Sequence, residues 1–152
     1  MGLDMYLDKE NYVKNWDHQK PEERHEITVK KGGKVVEGID PAKIKFIVEE
    51  VGYWRKANAI HAWFVENVQD GKDECQRSYV GREQLAELRK IVESVLADHS
   101  LAAKLLPSKS GFFFGSTDYD EWYFKDLEDT KKILTDILNE VGYGDYYYHA
   151  SW

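Results

Sequence analysis

Cysteine is almost missing from the chain. Cys75 stands alone among 152 residues, which excludes an intramolecular disulfide and any zinc cage built on several thiolates. Proline is scarce too: Pro21, Pro41 and Pro107 are the full set. No Gly/Ser/Pro-rich linker divides the chain and no internal repeat is visible, so the length reads as one domain over 1–152. Basic residues are outnumbered 21 to 28, for a net charge of −7. An acidic surface repels phosphates, so direct nucleic-acid binding is not expected. No apolar run approaches the ~18 residues that cross a bilayer, and no charged-then-apolar leader opens the chain. The expectation is a cytoplasmic protein without a membrane partner.

Chemical motifs are equally sparse. The five histidines, His18, His25, His61, His99 and His149, include no i, i+4 pair and no His-Glu-x-x-His, so no metal site is expected. Ser116 does not sit in a Gly-x-Ser-x-Gly elbow, and the Gly-x4-Gly-Lys phosphate loop is absent. No cofactor and no catalytic residue is assigned on these grounds.

What the chain has in excess is rings. Five Trp, ten Tyr and six Phe make up 14% of it. Rings of this size, about 150–250 Å² each, are hard to bury in one small core. That suggests a homodimer.

Periodicity divides the chain into elements. Leu3, Met5 and Leu7 alternate with polar partners, as in a strand over 2–8. Residues 14–26 hold many charges and few aliphatics and read as a variable surface loop. Ile27 and Val29, then Gly32-Gly33, then Val35 read as a hairpin over 26–37. Alternation returns over 43–53. From Trp54 to about 70 the period is helical, with Ala57, Ile60, His61, Phe64 and Val68 on one face and Gly71 as a stop. A second helix spans 82–97, and a short piece from Ser100 to Leu106 ends at Pro107. Gly111 to Gly115 reads as a short buried strand. Thr117 then caps a third main helix over 118–141, and 145–152 reads as a final strand. This order predicts an α+β fold: an antiparallel or mixed sheet, including the 26–48 region and the Phe112 strand, packed on one face by three main helices. Its core is expected to hold Leu3, Met5, Ile60, Phe64, Leu88, Val92, Phe113, Leu127, Leu134 and Leu138.

Two segments carry the candidate site. If the helix starts at Trp54, then Trp54, Asn58 and His61 fall on one line near its beginning, with Arg55 beside them. A ring, an amide and an imidazole together can grip a flat polar ligand; the bland reading is a core-edge histidine and a packing tryptophan. The second segment offers Ser116, Asp118, Tyr119 and Asp120 at a helix start. Such an end attracts anions, but its own carboxylates already complement the dipole. Asp120 falls on the apolar side of that helix, where a carboxylate needs a partner. Arg55 and His61 are the expected partners, so the two helix starts are predicted to converge on the Gly111–Gly115 segment. The acidic run Asp118 to Asp129 is either a solvated helix face or a surface for a basic protein.

The opening Met1-Gly2-Leu3-Asp4-Met5-Tyr6-Leu7, the segment from Tyr53 to Phe64 with Val65-Glu66-Asn67-Val68-Gln69, and Leu105-Leu106-Pro107 through Phe124 resemble a family of small proteins encoded by tailed phages and prophages. The resemblance implies an intracellular protein of an infected bacterium and carries over no catalytic residue. Small accessory phage proteins often act on host systems. Two readings follow: a binding protein directed at a host or phage protein, defence-related in the host case, or at a nucleotide-like signal; or a small enzyme acting on a nucleotide or modified base, with His61 and Asp120 as acid and base.

Overall fold

Alternating apolar residues at the beginning of the chain build its central strand. The structure, a computed structural model, describes residues 2–152. β1 (Asp4–Tyr12) pairs on one side with β4 (Phe46–Arg55) and on the other with β6 (Asp145–Ser151), and β6 pairs with β5 (Ser78–Val80). All pairs are antiparallel, in the order β4-β1-β6-β5. The hairpin is present as β2 (Lys30–Lys31) and β3 (Lys34–Val35), with Gly32 and Gly33 at positive φ in its turn. It forms its own two-stranded sheet and does not join the larger one as expected. Its four strand residues are all exposed, so no buried face holds it there.

Four helices, not three, accompany the sheet. They are α1 (Asn58–Val68), α2 (Arg82–Ala97), the one-turn α3 (Ala102–Leu105) and α4 (Glu121–Asn139). The fold is therefore α+β with an antiparallel sheet. No helix among the described residues is long and apolar enough to cross a membrane. Leu3, Met5 and Leu7 on and beside β1, Trp54 on β4, Val80 on β5 and Tyr146, Tyr148 and Ala150 on β6 turn one way, into a core shared with α1, α2 and α4. Tyr6, Tyr53 and His149 turn the other way: Tyr6 faces both of the others across the strands, and its ring stacks on His149.

Several expectations are corrected. Trp54 and Arg55 end β4, and the helix begins only at Asn58. The break is at Lys56, whose φ of 57° lies in the left-handed region and cannot continue a strand or a helix. Gly111 to Gly115 is a turn and not a buried strand. Phe114 N donates to Gly111 O, and Gly115 has φ 82°. A Cβ on Gly111 would lie 2.5 Å from the Phe114 ring, so this glycine is what lets the segment curl. One strand-like bond survives, from Leu3 N to Phe113 O at 3.1 Å. Phe112 is almost wholly exposed, Phe113 and Leu138 are half-buried, and Phe114 takes the core position. The other eight expected core residues are buried. The cap of α4 is Asp120 and not Thr117.

Candidate functional site

The bend at Lys56 and the turn at Gly111–Gly115 are fastened to the same place. Lys56 N donates to Leu3 O at 2.7 Å while Leu3 N donates to Phe113 O, so the first residues of the chain bridge the two segments. Asn58 completes the joint. Its buried carboxamide donates to Phe114 O at 3.0 Å and Ser116 O at 2.8 Å and accepts from Lys109 N at 2.9 Å. The start of α1 is thus tied to the Gly111–Gly115 turn and to Ser116 in the loop that leads into α4.

Between α1 and α4 lies a cleft of about 420 Å³. Arg55, Lys56 and Asn58 line one wall, Ser116 and Asp118 the loop, and Asp120, Trp122 and Asp126 the other wall. The opening turn of α1 also faces it through Ala59 and Ile60. The N-cap of α1, Ala57, provides no side-chain cap, and His61 N is the amide that bonds back to Ala57 O. Asn58 N donates to Lys56 O at 2.9 Å, which leaves the amides of Ala59 and Ile60 as the donors this helix start presents without a partner. α4 differs: Asp120 Oδ1 accepts from Trp122 N and Tyr123 N, both at 3.1 Å. The anion-attracting end is therefore that of α1.

Not every expected residue reaches the cleft. Trp54 is buried, and its indole N–H donates 2.8 Å to Thr130 Oγ1 beneath α4. Tyr119 stands apart, accepting from Ser108 N at 3.2 Å with its ring edge-on to Tyr123. His61 is 1% exposed and turns away from Asp120. Its Nε2 lies 2.9 Å from Asp73 Oδ2 and its Nδ1 lies 2.6 Å from Tyr148 Oη. The expected Asp120 pairing with Arg55 or His61 is replaced by the cap. The reason is local: a carboxylate one residue before a helix finds backbone donors without crossing to another element.

Asp126 and Lys56 belong to the cleft and were not foreseen. Burial pushes the Asp126 carboxyl up to about 6, aided by the charges of Asp129 and Asp120 and opposed by Lys125. A signal existed: Asp126 stands three residues after Tyr123 and four before Thr130, both buried on α4, so helical spacing puts it on their face. Lys56 carried no such signal, because its position depends on the left-handed bend. Among the described residues no group of three His, Cys, Asp or Glu side chains is placed to hold a metal.

Comparison of the chain with known protein families, curated proteins and solved structures gives no match.

Proposed function

We propose that the chain is an accessory binding protein of a tailed phage or prophage, and that the cleft between α1 and α4 holds a nucleotide-like anion in the host cell. The observation that carries the reading is the uncapped start of α1 opening into the cleft beside Arg55 and Lys56. Free backbone amides, the positive end of the helix dipole and two cations suit a phosphate group. The exposed indole of Trp122 and the carboxylates of Asp120 and Asp126 on the facing wall suit a ring and its N–H donors. The volume lies within the range of small-molecule sites. The Asn58 joint fixes the α1 wall to the loop before any ligand arrives, which lowers the ordering cost of binding.

Calorimetric titration with mono- and cyclic dinucleotides tests this. Saturable binding is expected, weakened about tenfold or more by Arg55→Ala, as fits the loss of one charge-assisted contact. Failure of every nucleotide to bind, with a host protein instead cross-linking to the cleft, transfers the site to a protein partner.

A second reading rests on Asp126. A carboxyl titrating near 6 in a cleft can take or give a proton near neutral pH. In an enzyme acting on a nucleotide or modified base, Asp126 then replaces the expected His61–Asp120 pair. Turnover of a nucleotide by the protein, lost in Asp126→Asn, is the result that selects this reading.

A further inference from the structure

A hollow larger than the α1–α4 cleft lies elsewhere, at the end of the sheet where β1 leaves and β6 enters. This cleft of about 660 Å³ is lined by Tyr12, Tyr79, Tyr143 and Tyr146, contributed by β1, β5, the α4–β6 loop and β6. Glu10 and Asp145 also line it. They are directly opposed across the β1–β6 pair, an arrangement that is ordinarily unfavourable for like charges. Glu10 is relieved by Arg77, at 2.5 Å. Asp145 enters no ion pair among the described residues.

Two cations near the cleft are paired with carboxylates, while Arg82 and His25, which line it, enter no ion pair among the described residues. The Arg82 guanidinium donates to the last carbonyls of α4, at Ile137, Leu138 and Glu140. Lys9 is paired with Glu140 at 3.0 Å, and Arg77 lies over the Tyr147 ring, 3.7 Å from its centre, as well as on Glu10. Beside Arg82, whose guanidinium is turned onto the carbonyls at the end of α4, and His25, the cleft offers a newcomer tyrosine rings and a carboxylate without an ion-pair partner among the described residues. Ring faces attract cations, most of all those with a spread, weakly hydrated charge.

We propose that this cleft is a second binding site, for an organic ammonium cation, with Asp145 as counter-ion and Tyr12, Tyr79 and Tyr143 as its ring walls. Its ligand chemistry is opposite to that of the α1–α4 cleft, so the two sites stand or fall separately. The cation can arrive free, as a polyamine or quaternary amine, or on a protein side chain.

The test is a proton NMR titration of the full chain with three probes: tetramethylammonium, spermidine and a blocked peptide bearing one trimethyllysine. Saturable shifts of the Tyr12, Tyr79 and Tyr143 ring signals are expected with at least one probe. A free amine acting alone identifies a small-molecule ligand, and the peptide acting alone identifies a protein-borne one. Asp145→Asn and Tyr79→Leu, both at exposed positions, should each weaken binding about tenfold. Glu128→Gln, on α4 and outside the cleft lining, should not. Two results overturn the proposal. One is the absence of saturable shifts up to about 10 mM of every probe. The other is equal weakening by all three substitutions, which marks general attraction to an acidic protein.

Discussion

The Asp73 carboxylate lies 2.9 Å from His61 Nε2 and, through its other oxygen, 3.0 Å from the indole N–H of Trp152. On its far side the imidazole meets Tyr148 Oη. Burial holds the Tyr148 phenol well above the ordinary value of 10, with the Asp73 and Cys75 charges adding to it, so the hydroxyl keeps its proton within this bond. The chain of bonds ties α1, the 69–77 loop and the end of β6 together.

Tyr148→Phe should therefore act on stability and not on ligand binding. It leaves the buried Nδ1 without its partner, which costs about 1–3 kcal/mol. The melting temperature should fall by about 3–10 °C. His61→Ala should lower it as well, while nucleotide binding per folded molecule in the α1–α4 cleft is retained. Loss of that binding with unchanged melting would place His61 in the site.

Asn58 is the joint of the proposed nucleotide cleft. Asn58→Ala deletes two donors and an acceptor at a buried position, costing about 2–3 kcal/mol. Hydrogen exchange should rise at Gly111–Ser116 and Lys109 before it rises on α4. If exchange rises uniformly along the chain, the joint is not local.

Asp126 gives a pH signature. Its folded value of about 6 exceeds the ordinary 3.8, so the folded protein binds more protons between those limits. Stability contributed by the neutral carboxyl is full below about pH 4 and is lost as pH rises through 6. Asp126→Asn cannot ionise. It should match the parent near pH 4 and exceed it at pH 7 by about 1–2 kcal/mol, after allowance for solvent screening. Thermal melts of both proteins across pH 4–8 measure this. A constant difference at all pH values would refute it.

The elements were legible where burial imposed a period. Leu3, Met5 and Leu7 marked β1, Leu85, Leu88 and Val92 marked α2, and Leu127 and Leu134 marked α4, because each repeats at the spacing of its own backbone. The meeting of the segments at 55–58 and 116–120 was legible as well, from polar groups crowded at two helix starts. What each polar residue does there was decided in three dimensions. A side chain bonds to whatever the fold brings within about 3 Å, and sequence spacing is silent about distant partners. Asn58 found carbonyls 56 and 58 residues away, His61 found Tyr148 rather than Asp120, and Trp54 found Thr130. The three-residue β5 was missed because it is too short to show a period, and exists through its pairing with β6. The tyrosine cleft has the same origin: its rings come from positions 12, 79, 143 and 146, and only the order of the strands makes them neighbours.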